Sequence, residues 1–553
     1  MLQNIALCFS GGGYRAAGFS LGILSYFNHV EIIDPATQLK SPLLDNINGL
    51  STVSGGTLTG VIFTLFKANE RSFEDFYAFF YEFLDDDLLL EKALTIMEDD
   101  EIWKHTFKKQ SLINAFSIAY RELLTEETFA DLKPAEGSLA DFCFNATEFT
   151  NGLAFRFQNN GLFGNYYFRD KDGLQNHKGD FYLADIIASS SCFPLGFEPL
   201  TMPNDYFAKD SITYKQLMQD ADFRAGVGIM DGGIVDNQGI GSTMLADKRK
   251  KENNLPQYDL ILNCDVGSGT MPPWAPSTTN TDKTSTIDQL LNKAGSWLKN
   301  NVLPTIFIIL GAAGIIFGLL TPLCISDWAL VFGSFLLMGG VLLFLGKYLV
   351  LYFYKFLHNK IKAVIPHFYE DKLKAFDQIG LGVLKRMITE RLTSGSSMIN
   401  YVFLNQIRRL NYDLFYKSDD LEGRRASALI NALTKEKYTE SKQVYKNMNA
   451  ERTLDIEVLK HIPEPSTAIF NSAEIAASFG TTLWFVPADR DVQRLKNLVA
   501  CGQFTACYTL LKFVIRTELT TDTPIPELKP IKEALLKDWE AFIKDPFVFL
   551  GHD

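Results

Sequence analysis

The chain has 553 residues with a formal net charge of −12, and 47% of its residues are hydrophobic while 21% are charged. This length predicts two or three domains, and the composition is that of a folded protein, not a disordered one. The negative charge argues against nucleic acid or anionic headgroups as electrostatic partners. Any attachment to a membrane must therefore come from burial of apolar surface.

The cysteines and the N-terminus indicate an intracellular protein. Seven cysteines are scattered along the chain and none has CxxC spacing, which is typical of reduced structural thiols. No basic region followed by a long apolar core and a small-residue cleavage site is visible at the N-terminus, so we predict no signal peptide.

The first third of the chain alternates short apolar strands with segments of helical periodicity. Such alternation favours an α/β fold with a layered, mostly parallel sheet and crossover connections. Residues 67–135 are helical and rich in aromatics, which predicts a cap over the sheet. The predicted strands are Ile5–Phe9, Leu50–Val53, Ala154–Phe157, a strand near Phe181–Leu183, Gly228–Met230 and Leu260–Val266, and the first predicted helices are Arg15–His29 and Thr57–Phe66.

Two long apolar stretches follow a Pro-, Ser- and Thr-rich loop at Thr270–Thr286. Val302–Leu323 contains no charged residue and Trp328–Tyr354 contains only Lys347. Each is close to the ~20 residues needed to cross a bilayer core. A buried helical hairpin in a soluble core is the alternative, but such helices seldom run so long without a charge. The pattern predicts an integral membrane protein with two transmembrane helices.

Charged residues beside this hairpin predict its orientation. Lys293 and Lys299 precede it, Lys355 follows it, and the short connection holds only Asp327. By the positive-inside rule both flanks, and with them residues 1–286, face the cytoplasm. Residues 287–298 carry an apolar stripe at helical spacing that either lies on the membrane surface or packs against the protein.

The small-residue pair Gly314 and Gly318 offers a face for close helix packing, including packing in a homo-oligomer. The remaining chain predicts further helices and one late strand, Thr481–Val486, followed by a helix at Val492–Phe513. The domains expected from these patterns are 1–286 (the α/β domain), 287–356 (amphipathic helix and hairpin), 357–480 (helical) and 481–553 (elements that close the α/β domain).

The first candidate site is a glycine loop between the first strand and the first helix. Gly11, Gly12 and Gly13 allow backbone N–H groups to converge on an anion at the positive end of that helix. A phosphate or a transient oxyanion fits this loop, and the glycine spacing also matches the dinucleotide fingerprint loosely. A nucleotide P-loop is excluded because no Gly-Lys-Ser/Thr follows.

The second candidate site is Ser54, which lies between a short strand and a helix and is followed by Gly55 and Gly56. A nucleophile elbow needs small neighbours because the serine holds a strained backbone in a sharp turn. Thr52 occupies the position at which the Gly-x-Ser-x-Gly pattern has glycine. An ordinary helix-capping serine is the alternative interpretation of this motif taken alone.

The third candidate site is Asp231, which ends a predicted strand and is followed by Gly232 and Gly233. If Asp231 accepts a hydrogen bond from Ser54, it can take the hydroxyl proton as the serine attacks an ester. No second carboxylate cluster supports a metal, and we expect neither a metal nor a cofactor. The seven histidines lie in no recognisable motif, so a Ser–Asp pair is the economical arrangement.

Together these sites resemble the patatin-like phospholipase family. The resemblance covers about residues 4–270 through Gly11-Gly-Gly-x-Arg15, Thr52-Val-Ser-Gly-Gly56, Ala188-Ser-Ser-Ser-Cys-Phe-Pro194 and Asp231-Gly-Gly-x-Val-Asp-Asn237. It implies a three-layer α/β/α sandwich to which the hairpin and the helical segment are additions. It also implies a catalytic dyad of Ser54 and Asp231, and an oxyanion hole formed by Gly11, Gly12 and Gly13, with Arg15 fixing or supplementing it.

The implied activity is metal-independent release of fatty acids from phospholipids, lysophospholipids or neutral lipids, with membrane lipid as the substrate. Three other functions stay open at this point. A membrane scaffold could keep the fold without the chemistry, and an acyltransferase could pass the acyl group to an alcohol other than water. A dinucleotide-binding oxidoreductase would rest on the glycine loop alone.

Overall fold

The computed structural model describes residues 2–33, 40–124, 126–132, 139–267, 301–321, 326–364, 381–445, 448–521 and 525–550. The chain divides into two compact units, Met1–Met271 with Met398–Asp553, and Pro272–Ser397. The first unit therefore takes in residues that the sequence assigned to a separate helical region beginning at 357. The predicted loop 270–286 and apolar stripe 287–298 lie outside the described residues.

An eight-stranded, mostly parallel sheet forms the centre of the first unit, as the α/β prediction requires. Its order is β10-β9-β1-β4-β5-β8-β7, with β6 paired to β5; the pairs among β10, β9, β1, β4 and β5 are parallel and those of β5 with β6 and β8 are antiparallel. β2 and β3 form a separate hairpin. The strands are β1 Ile5–Phe9, β2 Glu31–Ile33, β3 Lys40–Pro42, β4 Ile47–Val53, β5 Asp141–Glu148, β6 Leu153–Gln158, β7 Leu200–Met202, β8 Val227–Asp231, β9 Leu260–Asp265 and β10 Arg425–Leu429.

Helices cover the sheet and supply most of the apolar core. The helices before the hairpin are α1 Gly13–His29, α2 Gly55–Ala68, α3 Phe73–Asp86, α4 Leu89–Glu98, α5 Asp100–His105, α6 Leu112–Leu124, α7 Asp172–Asn176, α8 Leu183–Ser191, α9 Ile212–Leu217, α10 Ala221–Ala225 and α11 Ile240–Glu252. The second unit contains α12 Val302–Leu320, α13 Ser326–Val364 and α14 Leu381–Ser397. The first unit resumes with a π-helix at Met398–Phe403, then α15 Leu404–Lys417, α16 Lys435–Ser441, α17 Ala450–Lys460, α18 Thr467–Ala477, α19 Pro487–Asp491, α20 Arg494–Thr520 and α21 Leu528–Lys544.

The long helix α20 is packed inside the first unit against α1. A Cβ placed on Gly22 would lie 2.0 Å from the Val499 carbonyl oxygen, and one on Gly502 would lie 2.2 Å from that of Phe19. Only glycine allows the two backbones to approach this closely. Although α20 is long and apolar enough to cross a membrane, 94% of its most apolar window is buried within the protein. The hydrophobic surface of α20 is thus buried in the core of the first unit.

Two predicted strands are wrong, and five strands that the structure contains were not predicted: β2, β3, β5, β7 and β10. Thr481–Val486 forms no strand, because its backbone groups bond elsewhere: the Tyr14 N–H donates to the Thr482 carbonyl at 2.8 Å and the Phe485 N–H to Asp87 Oδ2 at 2.8 Å. The region near Phe181–Leu183 instead begins α8. In the segment expected to be helical, β10 extends the sheet beside β9.

Among the described residues, three helices are long and apolar enough to span a membrane, and the second unit holds two of them. These are α12 and Ser326–Leu349 within α13, with mean hydropathies of 2.4 and 2.3. They pack through glycines: a Cβ on Gly311 would lie 2.4 Å from the Leu337 nitrogen, and one on Gly314 3.1 Å from the Gly333 Cα. A Cβ on Gly318 would meet Leu330 at 2.6 Å. This small-residue face therefore packs within the chain's own hairpin, while most other apolar side chains of both helices point outward.

Candidate active site

Ser54 occupies a sharp turn between β4 and α2. Its φ is +51°, in the left-handed region that non-glycine residues rarely adopt, and such strain is typical of a nucleophile elbow. A Cβ on Gly55 would lie 2.0 Å from the Gly13 carbonyl oxygen, and one on Gly56 would lie 2.7 Å from that of Phe9. The two glycines after the serine therefore let the elbow press directly against the backbone of the glycine loop.

Thr52 fits this elbow because α2 has a glycine opposite it. A Cβ on Gly60 would lie 2.5 Å from Thr52 Cγ2, so the missing side chain at 60 makes room for the threonine methyl group. The Thr52 hydroxyl also lies 3.0 Å from that of Thr57. The departure from the usual glycine at position 52 is thus accommodated one turn into the following helix.

Ser190, from the motif Ala188–Pro194, holds the elbow in place. Its buried hydroxyl accepts a hydrogen bond from the Ser54 N–H at 2.8 Å and donates to the Asn145 carbonyl at 2.6 Å. It also lies 2.8 Å from the Thr57 hydroxyl. From the resemblance we expected this motif to shape the pocket near the dyad. The contacts give Ser190 a more specific role, which is to fix the backbone at Ser54.

The sheet register brings Asp231 to the elbow. The first part of β5 pairs in parallel with β4, and Val53 lies opposite Asn145. The next residue of β5, Ala146, lies opposite Asp231 at the end of the antiparallel strand β8. The residue before Ser54 and the residue Asp231 thus face successive positions of one strand. Two strands that run in opposite directions therefore present their C-terminal residues at the same point of the sheet.

Burial determines the chemistry of the Asp231 carboxyl group. The residue is 2% exposed, and desolvation raises its pKa from 3.8 to about 7. The Gly233 N–H donates to Oδ1 at 2.6 Å, and this hydrogen bond and the nearby Ser54 side chain both lower the pKa, but burial has the larger effect. A carboxylate with this pKa is a stronger base than an ordinary aspartate and can accept a proton near neutral pH.

The glycine loop adopts the backbone that its sequence predicts. Gly12 and Gly13 have φ values of +151° and +58°, and a Cβ on Gly13 would lie 2.3 Å from the Thr482 carbonyl oxygen. The Gly11 N–H donates to the Asn237 carbonyl at 2.9 Å. Among the described residues the Gly12 and Gly13 N–H groups have no backbone acceptor. Of the three glycines, these two are therefore the better candidates for oxyanion donors.

Arg15 ties a distant segment to the loop. Its guanidinium Nη1 donates to the Phe479 carbonyl at 2.6 Å, and burial, with a smaller contribution from Arg408, lowers its pKa to about 10. The same segment accepts the Tyr14 N–H through Thr482. These contacts agree with a role in fixing the loop. A direct contribution of Arg15 to the oxyanion hole stays a prediction.

The described histidines are engaged elsewhere. His177 Nδ1 lies 2.8 Å from Asp180, His29 lies 3.4 Å from Asp538, and the rings of His105 and His461 lie beside the glutamates Glu101 and Glu457. The side chains of the other three histidines, His358, His367 and His552, are not among those that the structure describes. Each of the four described histidine side chains thus lies beside a carboxylate other than Asp231.

A strained serine elbow, a buried carboxylate and a glycine loop at the start of a helix are elements that acyl transfer by a serine requires. Residues 7–244 match the family model of patatin-like phospholipases, so this chain contains a patatin-like phospholipase domain, of the lipid hydrolase class. No curated protein matches the chain. The match ends before β9 and the 479–482 segment, although Val266 and Thr482 both contact the glycine loop.

Proposed function

We propose that the protein is a membrane-anchored lipid acyl hydrolase that cleaves fatty acyl esters through Ser54 and Asp231. The observation that supports this most strongly is the convergence of the strained Ser54 elbow and the buried Asp231 carboxyl beside the glycine loop. Phospholipids are the proposed substrates, because the domain family is named for phospholipases. Lysophospholipids, which carry the same kind of acyl ester, are proposed with them.

The proposed reaction has two stages. As the Ser54 Oγ attacks the ester carbonyl carbon, Asp231 accepts the hydroxyl proton, and the Gly12 and Gly13 N–H groups bind the carbonyl oxygen as it becomes negative. The tetrahedral intermediate collapses to an acyl-Ser54 ester, and Asp231 returns the proton to the departing alcohol. Water then attacks the acyl-enzyme while Asp231 accepts one of its protons. The fatty acid leaves and Ser54 regains its proton.

The proposed anchor is the hairpin of α12 and α13. Both helices carry exposed apolar side chains along their length, among them Leu319 at 72% and Leu349 at 71% exposure, which water would disfavour. Lys293, Lys299 and Lys355 flank the hairpin, so we place the catalytic domain on the cytoplasmic side. A homo-oligomer through Gly314 and Gly318 stays a proposal, and it would require these glycines to leave or exchange their contacts within the hairpin.

The test of the chemistry is fatty acid release from phosphatidylcholine vesicles by the purified, detergent-solubilised full chain. Ser54→Ala should reduce release by at least about 10³-fold, and a fluorophosphonate probe should label the wild type on Ser54 alone. Ser51→Ala is the matched control, since Ser51 is a buried serine whose hydroxyl donates to the Gly239 carbonyl at 2.7 Å. Full activity of Ser54→Ala would refute the assignment. Product analysis with added glycerol separates hydrolysis from acyl transfer.

The test of the anchor replaces residues 302–354 with a flexible Gly/Ser linker. We expect turnover of a short water-soluble ester to be preserved and hydrolysis of bilayer phospholipid to fall sharply, because the hairpin raises the local concentration of lipid without taking part in bond making. The ratio of the two activities is the measurement, since misfolding would lower both. An unchanged ratio in a folded deletion would show that the hairpin has no role in reaching the substrate.

A further inference from the structure

Helix α15, which follows the hairpin and lies outside the family match, packs against the two loops beside the glycine loop. Asn411 Nδ2 donates to Asp236 Oδ1 at 3.0 Å, and the Tyr412 hydroxyl donates to Asp265 Oδ2 at 2.9 Å. Arg408 Nη2 lies 3.4 Å from Asp265 Oδ1. Residues 408, 411 and 412 share one face of a helix. This face therefore contacts both the loop that follows Asp231 and the end of β9.

Arg408 also forms two hydrogen bonds with the side chain of Asn237. In the orientation that satisfies both partners, Asn237 Oδ1 accepts from Arg408 Nη2 at 2.6 Å and from Nε at 2.8 Å. The oxygen and nitrogen of an amide are assigned from their partners, and a guanidinium can only donate. The oxygen end of the amide must therefore face Arg408. The guanidinium is largely shielded, with 15% of the side chain exposed.

The nitrogen end of the amide then faces the dyad. A Cβ added to Gly11 would lie 2.6 Å from the amide nitrogen of Asn237 in this orientation, and 3.2 Å from the Ser54 Cβ. A Cβ on Gly233 would lie 2.6 Å from the same amide atom and 2.9 Å from Asp231 Oδ1. The amide of Asn237 is thus separated from Ser54 and from Asp231 only by the space that a side chain on Gly11 or Gly233 would fill.

We infer that Arg408 is a positioning residue for ester hydrolysis, which holds Asn237 with its NH₂ group toward the dyad. Negative charge develops at the glycine loop during acyl transfer, so a fixed N–H dipole there is favourable and a carbonyl dipole is unfavourable. The Asn237 backbone also holds the Gly11 N–H, so the same contact steadies the loop. The inference rests on the proposed function, because it presupposes chemistry at Ser54 and Asp231.

The first experiment measures kcat and KM for a short soluble ester with Arg408→Ala in the full chain. We expect kcat to fall by about 10²-fold, as on removal of one oxyanion-hole donor, with KM changed less than about twofold. Millimolar guanidinium should restore part of the loss by occupying the vacated space. Arg409→Ala, which removes the exposed neighbouring arginine, is the matched control and should retain wild-type kcat. A wild-type kcat for Arg408→Ala would overturn the inference.

Asn237→Asp separates a catalytic effect from a structural one. The carboxylate keeps the two hydrogen bonds from Arg408 and strengthens them by its charge, which offsets its repulsion with Asp231, so the variant should still unfold cooperatively in a thermal melt. It also turns an oxygen toward the dyad, so we expect a loss in kcat of at least about 10²-fold and a pH–rate profile whose rising limb moves to higher pH. A stable Asn237→Asp with wild-type kcat would show that the contact is only structural.

Failure of the inference and failure of the proposed function give different results. If the wild type hydrolyses the ester and Ser54→Ala does not, but Arg408→Ala equals the wild type, only the inference fails. If the wild type neither hydrolyses the ester nor reacts with a fluorophosphonate at Ser54, both fail.

Discussion

Replacing Asp231 by asparagine should stabilise the protein at neutral pH while it removes activity. The folded protein holds the proton of Asp231 up to about pH 7, whereas the unfolded chain releases it near 3.8. Between these values the folded state binds more protons, so this residue makes stability fall as pH rises. At about 1.4 kcal/mol per pKa unit, the cost of the buried carboxylate reaches about 4 kcal/mol above pH 7.

The assay compares the wild type with Asp231→Asn, solubilised in the same detergent, by thermal unfolding at pH 4 to 8. Near pH 4 the two should melt at nearly the same temperature, because Asp231 is protonated in the folded state and still about half protonated in the unfolded chain. The difference in melting temperature in favour of Asp231→Asn should grow through pH 5 and 6 and level off above pH 7. Fluorophosphonate labelling of wild-type Ser54 should rise with pH around the same midpoint, since the same carboxylate serves as the base.

Two outcomes would refute this reasoning. A stability difference that does not depend on pH would mean that Asp231 is not desolvated in the folded state. A labelling rate that is already at its maximum at pH 5 would mean that the base has an ordinary pKa. Because the two measurements share one titrating group, agreement of their midpoints is a stricter test than either alone.

Gly60→Ala should destabilise the catalytic unit by about 1–3 kcal/mol, because the new Cβ would lie 2.5 Å from Thr52 Cγ2. The second substitution Thr52→Ser removes that methyl group, so the double variant should recover most of the lost stability in a thermal melt. Equal melting of the single and double variants would contradict this account of Thr52. Alkaline carbonate should leave the protein in the membrane pellet, because it strips electrostatic attachment but not buried apolar helices; recovery in the supernatant would show that the hairpin of α12 and α13 is not inserted.

The turn at Ser54, the strand end at Asp231 and the glycine loop could be predicted from the sequence because each depends on local backbone demands. Gly12 and Gly13 take positive φ, and Gly55 and Gly56 allow backbone contact, so the chemistry leaves a visible run of glycines. Asp231 ends an apolar strand, which the pattern of residues also shows. These signals lie within a few residues of the groups they position.

The supporting contacts could not be predicted in this way because they join residues far apart in the chain. Ser190 holds Ser54 across 136 positions, and Arg15 reaches the carbonyl of Phe479. Arg408 lies in a segment whose charged, helical pattern contains no motif. The predicted strand at Thr481–Val486 was wrong for a related reason. Its apolar residues suited a strand, but its backbone groups bond to the first helix and to Asp87.

The absence of a histidine from the proposed chemistry follows from the burial of its base. A histidine suits proton transfer near neutral pH because its ordinary pKa is about 6.5. Desolvation brings Asp231 to about 7, so the carboxyl group acquires the basicity of an imidazole. The short antiparallel pairing of β8 with β5 is what places Asp231 in that dry position. A change that hydrates this strand end should therefore impair proton transfer even if Ser54 and Asp231 are unaltered.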